Sequence, residues 1–122
     1  MKPPIKADEL KWVGIDHDGV MGRLAEPPFY EMGDLNPGAV EAVRQIARLG
    51  LKPTAHTARH WADYTNLEDW YEYHDLPIRR IVCGKPLLRW MVDDKAIEFD
   101  PARPEESWAR ALQIIKTGKL PW

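Results

Sequence analysis

Cysteine is almost absent from this 122-residue chain, Cys83 being the only one, so no disulfide can form within it and a buried, inert thiol is expected. A reducing, cytoplasmic location is consistent with that. Long apolar runs are also missing. No stretch approaches the roughly 20 residues of a membrane span, and Met1 to Glu9 holds no apolar core of signal-peptide length. Charge of one sign is not in excess: 17 Lys and Arg stand against 19 Asp and Glu, a net charge of -2, so composition points to neither nucleic acid nor a membrane surface. Short basic clusters at Arg79-Arg80 and near Arg89 read as solvated face. Repeats and low-complexity segments are lacking too. What remains is the profile of an ordinary globular protein, 44% hydrophobic and 30% charged, expected to form a single domain over residues 1–122. An active site in such a chain is built from one sheet and its loops.

Eleven prolines punctuate the chain into alternating elements. Lys11-Trp-Val-Gly-Ile-Asp16-His-Asp18-Gly19-Val20 is an apolar run ending in two aspartates and a glycine, the pattern of a buried strand presenting acids at its carboxyl end. A long irregular stretch, 21 to 35, follows. Asn36-Pro37 then reads as N-cap and first helical residue, with Ala39, Val43, Ile46 and Ala47 at helical spacing until Gly50. Leu51 to Thr57 predicts a second strand, although Pro53 weakens its first half. His60 to His74 predicts a second helix on the spacing of Tyr64, Leu67 and Tyr71, stopped by Pro77. Ile78 to Gly84 and Leu88 to Val92 predict two more strands, and Trp108, Ala111, Leu112 and Ile115 mark one face of a final helix. This alternation predicts an α/β fold, a Rossmann-like three-layer α/β/α sandwich with a mainly parallel sheet.

In a parallel sheet the carboxyl ends of the strands share one edge, which is where such sheets bind ligands. The predicted strand ends bring Asp16 and Asp18, Thr57, Lys85 from the loop after the third strand, and Asp93-Asp94 to that edge. Four carboxylates together repel one another and are expensive to bury, and a hard divalent cation such as Mg²⁺ resolves the repulsion with oxygen ligands. The lysine and threonine would then serve as donors to phosphate oxygens.

The ordered set Asp16-x-Asp18-Gly19-Val20, Thr57-Ala-Arg59, Gly84-Lys85-Pro86 and Val92-Asp93-Asp94 resembles the four motifs of the haloacid dehalogenase superfamily, over roughly residues 11 to 99. The resemblance implies a Mg²⁺-dependent phosphomonoester hydrolase. Asp16 would be the nucleophile that forms an aspartyl-phosphate, and Asp18 the acid-base that protonates the leaving group and then activates water. Thr57 would hydrogen-bond the phosphoryl group, Lys85 would orient Asp16 and offset its charge, and Arg59 and His60 would lie within reach of substrate. Metal ligands would be Asp16, the Asp18 carbonyl and Asp94, with Asp93 sharing the duty or standing behind, and Glu98 as a weaker auxiliary.

His17 departs from the pattern, which more often has an aliphatic or aromatic residue between the two aspartates. Alternation turns its ring away from the acids, as a structural histidine. His56 and His60 straddle a strand–helix junction, which disfavours a metal pair. Trp61, Trp70, Tyr71 and Tyr73 crowd one short helix, a density that fits core, a subunit interface or a base-stacking platform. Neither usual insertion point has room for a cap domain, so the site is expected to be open unless a second subunit of a homo-oligomer covers it. Capless relatives act on large substrates such as polynucleotide or protein phosphate ends, or cap one another, so a nucleotide or polynucleotide phosphate end is one expected substrate. Two rivals stand beside the phosphatase. A phospho-accepting receiver domain would need the lysine last, and here it precedes Asp93-Asp94. A catalytically silent binding or assembly module of the same fold is the other.

Overall fold

The structure is a computed structural model that describes residues 11–24, 32–86, 88 and 91–118. Three short parallel strands form its sheet: β1 (Trp12–Ile15), β2 (Lys52–His56) and β3 (Arg80–Val82), in the order β1-β2-β3. Trp12 aligns with Lys52, Ile15 with Ala55, and Ala55 with Ile81. Helices α1 (Ala39–Arg48) and α2 (Tyr64–Tyr73) connect the strands, and α3 (Pro104–Thr117) follows them. The result is a Rossmann-like α/β fold, as the alternation of elements predicts; among the described residues the three helices share one core, so the second helical layer of the expected three-layer sandwich is not seen.

Each row of the register faces one way. Ile15, Ala55 and Ile81 are buried and meet Val43 and Ile46 of α1, Leu67, Trp70 and Tyr71 of α2, and Trp108 and Leu112 of α3 in one core. Right-handed crossovers between sequential neighbours place α1 and α2 on the same face of the sheet, and α3 packs against α1. On the opposite row His56 and Arg80 are exposed. There Trp12 is covered by cations instead of helices, with Lys52 Nζ 5.0 Å and the Arg80 guanidinium 4.2 Å from its ring.

Element boundaries follow local chemistry. Pro104 opens α3, with Glu105 and Glu106 in its first turn and Lys116 in its last, each sign matched to the helix dipole. The expected buried face of Trp108, Ala111 and Leu112, with Ile115 partly buried, is present. Helix α1 starts at Ala39 behind Gly38, and not at Asn36-Pro37: the Asn36 side chain is used elsewhere, as shown below. The second helical segment is shorter than His60–His74, with a 3-10 turn over Trp61–Asp63 before α2.

Of the expected fourth strand, Leu88–Val92, the described residues are in no strand. Residues 87, 89 and 90, and with them Arg89 of the basic cluster, lie outside the described residues. Leu88, Met91 and Val92 are not in a strand and are 63%, 61% and 103% exposed. A strand exists only through pairing, and among the described residues β1 is an edge of the sheet with no partner on its outer side. An apolar run therefore does not suffice to make one.

Leu67 is fully buried where α2 meets the core. Leu67→Ala is expected to lower the unfolding free energy by roughly 2–5 kcal/mol, read from the midpoint shift in urea at unchanged slope.

Candidate active site at the carboxyl edge of the sheet

Asp16 follows β1 directly, and its side chain is 40% exposed. Its Oδ1 accepts the His17 backbone N–H at 2.8 Å and lies 3.4 Å from Lys85 Nζ. Lys85 is delivered by the loop after β3, where its own N–H bonds to the Thr57 carbonyl at 3.0 Å. Sequence positions 16, 57 and 85 thus meet at the sheet edge, as parallel topology requires.

Asp18 sits on a tight turn. His17 C=O accepts from the N–H groups of Val20 and Gly22, and Gly19 N–H donates to Gly22 C=O. Gly19 has φ +85°, and a Cβ there would stand 3.3 Å from Leu24 and 3.4 Å from Pro101, so the turn demands glycine on both counts. Asn36, 5% exposed, pins this turn from across the fold: its Nδ2 donates to the carbonyls of Gly19 at 2.9 Å and Val20 at 3.0 Å. An Asn before Pro is a plausible cap in sequence terms, and only the long-range contact reveals this second use.

Arg59 does not reach outward. Its Nε and one terminal nitrogen donate to the two oxygens of Asp18 at 2.9 and 2.8 Å, with the arginine side chain only 7% exposed. Asp63 stands 3.8 Å from the other terminal nitrogen. The hydrogen bond to Asp18 is the main reason the guanidinium holds its proton more tightly than usual, against the opposing effect of burial. Arg59 is therefore a positioning residue for Asp18, where reach toward substrate is expected from the sequence. Thr57 is likewise closed off from solvent: its hydroxyl accepts the Arg59 N–H at 3.1 Å and turns the chain out of β2. His60 Nδ1 accepts the Ala62 N–H at 3.1 Å at the start of the 3-10 turn.

The four expected acids do not gather. Asp93 and Asp94 are exposed in a turn of their own, with Asp93 Oδ1 accepting the Lys95 N–H at 2.7 Å. Glu98 pairs loosely with Arg110 at 4.0 Å. Among the described residues no group of three or more His, Cys, Asp or Glu side chains is placed to hold a metal ion. Asp16, Asp93 and Asp94 form no such group, so the expected ligands, the Asp18 carbonyl among them, do not fit a Mg²⁺ site in this arrangement. The physical reason is local: Met91 and Val92, which lead into Asp93-Asp94, are exposed and in no strand, so they do not deliver the pair to the sheet edge.

No family model and no curated protein matches this chain. Two solved structures share its fold: a structural-genomics target from Vibrio cholerae, 21% identical with a TM-score of 0.64 over 89% of this chain and 99% of that one, and a conserved protein from Bacteroides thetaiotaomicron, 16% identical with a TM-score of 0.61 over 89% and 92%. At these identities the likeness is one of fold.

His17 faces the core, fully buried, while Asp16 and Asp18 on either side keep a third or more of their side chains in solvent. Its Nδ1 meets the Tyr71 hydroxyl at 3.0 Å, and Trp70 and Tyr71 approach its ring edge-on. Nε2 has no partner at hydrogen-bonding geometry, although the Met32 carbonyl nearby favours the protonated ring. Burial dominates and lowers its pKa below the ordinary 6.5, and it raises that of Tyr71. Cys83 is buried with its thiol pushed up, as an inert thiol should be.

His56, weighed from the sequence only as a metal partner of His60, is a neighbour of the site. It ends β2 on the outward row, and partial burial and the nearby Lys85 lower its pKa while Asp16 opposes them. Its position next to Thr57 was the available signal. A cleft of about 650 Å³, lined in part by Arg23, Asn36, Arg103 and Glu105, opens on the Gly19 side of the same edge.

Asn36→Ala is expected to reduce stability by about 1–3 kcal/mol, since a buried carbonyl of Gly19 and a partly buried one of Val20 lose their donor; chemical denaturation measures it. The lowered pKa of His17 makes stability fall with acidification. Between 6.5 and its lower folded value, the unfolded chain binds a proton that the native state refuses. The thermal midpoint is expected to drop from pH 7 toward pH 5, with a shallower drop in His17→Gln, the residue of the slope belonging to groups such as His56.

Proposed function

We propose that this protein is a phosphomonoester hydrolase working through an aspartyl-phosphate on Asp16. The observation that carries the reading is the Lys85 ammonium 3.4 Å from a half-exposed Asp16 carboxylate at the open carboxyl edge of a parallel sheet. The four-motif resemblance over residues 11 to 99 supports it further.

With Oδ1 held by Lys85 and the His17 N–H, Oδ2 is the attacking oxygen. It forms a bond to phosphorus as the bond to the leaving oxygen breaks, and Lys85 offsets charge on the nucleophile and the phosphoryl oxygens. Asp18 delivers the proton to the leaving oxygen. Both its oxygens accept from Arg59, so one of those bonds opens before a proton can be carried. The deprotonated Asp18 then takes a proton from water, whose oxygen attacks the acyl phosphate to release inorganic phosphate and regenerate Asp16. Mg²⁺ is the cation that the resemblance implies, and no step is assigned to it here.

A second reading, a silent binding or assembly module, is favoured by the exposed turn of Asp93 and Asp94 and by the complete burial of Thr57. One experiment separates the two. Hydrolysis of an aryl phosphate in Mg²⁺ buffer is expected to fall by roughly 10³-fold or more in Asp16→Asn and by roughly 10²-fold in Lys85→Ala. Equal rates in wild type and Asp16→Asn would sink the nucleophile assignment, and background rates in both would favour the silent module.

A further inference from the structure

We infer that Trp61 and Tyr64 form a stacking shelf for a nucleobase whose phosphomonoester enters at Asp16 and Lys85; the inference rests on the phosphomonoester reading for the position of the phosphate. The fold sorts the aromatics crowded between residues 61 and 73. Trp70 and Tyr71 are buried in the core, at 9% and 3% exposure. Trp61 and Tyr64 stay 54% and 37% exposed, yet their rings lie nearly parallel, 17° apart with centroids at 6.1 Å.

Their position ties them to the site. Gly84, at φ +76°, passes so close under the indole that a Cβ would stand 3.3 Å from Trp61 Nε1, and the next residue is Lys85. Gly84 N–H donates to Arg59 C=O at 2.8 Å, and Arg59 holds Asp18. The shelf therefore starts on the same turn that positions Asp18, and it flanks the loop that carries the ammonium to Asp16. A group attached to a phosphate at Lys85 and lying over Gly84 meets the indole.

The chemistry selects the occupant. Flat, exposed rings suit a planar group, and every nucleobase has a π-face to stack on them. A protein partner fits poorly. Two rings fall far short of the roughly 800 Å² per partner in a standard interface.

The test compares kcat/KM of the full chain and its variants on a nucleoside monophosphate, on a short oligonucleotide with a terminal phosphate, and on glycerol phosphate. Titration calorimetry of the nucleoside monophosphate runs in parallel. Trp61→Ala is expected to lower the ratio of nucleotide to glycerol phosphate kcat/KM by about tenfold or more, mainly through KM, and to weaken nucleotide binding equally; Trp61→Phe restores most of both. A loss with both nucleotide substrates assigns the shelf to the base next to the phosphate, and a loss with the oligonucleotide alone overturns that assignment. An unchanged ratio and unchanged binding in Trp61→Ala, with circular dichroism showing an intact fold, overturn the shelf, as does a self-association that Trp61→Ala abolishes while nucleotide binding persists. If no phosphate ester is turned over but nucleotide binding still depends on Trp61, the hydrolase reading falls and the shelf stands.

Discussion

The two-point ion pair between Asp18 and Arg59 holds the candidate site together. It joins the turn after β1 to the turn after β2, with a guanidinium almost wholly removed from solvent and both carboxylate oxygens engaged. A bidentate fork of this kind fixes orientation as well as charge. Removing either partner would strand a charge in a poorly solvated place, so the two loops are bound to move together. Much of the sheet edge follows from it. Thr57 is closed beneath the Arg59 turn, Gly84 is tied to the Arg59 carbonyl, and Lys85 follows into contact with Asp16.

Behind the edge lies a second support that is neutral. His17 turns inward between its two acidic neighbours and packs against Trp70 and Tyr71, so that α2 braces the acidic turn from inside the core. Asn36 braces it from the side, donating to two of its carbonyls. The acidic turn is thus held on three sides by groups drawn from separate parts of the chain. Such support is what a site needs if a carboxylate is to be presented at fixed geometry.

Much of this was legible in the residues. The period of α1 and α3, the alternation of elements and the parallel sheet followed from apolar spacing and from Pro and Gly at the ends, because these are local properties. The inward turn of His17 followed from strand alternation, and the meeting of Asp16 with Lys85 from the shared carboxyl edge of parallel strands. Other features were hidden for a common reason. Leu88 to Val92 has the composition of a strand, but whether it pairs depends on a neighbour that composition does not name. Asp93 and Asp94 depend on that strand for their approach to Asp16 and so end in an exposed turn.

The sequence by itself determined which chemistry is available: two acids after the first strand, an arginine two residues past a threonine, a lysine after a glycine, and an excess of aromatics between residues 61 and 73. Only the tertiary structure decided how they are shared out. Arg59 went to Asp18, Asn36 to a turn sixteen or more residues away, Trp70 and Tyr71 to the core, and Trp61 and Tyr64 to the rim. Local pattern fixes the periodicity of a segment, whereas the partner of a long polar or aromatic side chain is set by which segments the folded core brings within a few ångströms.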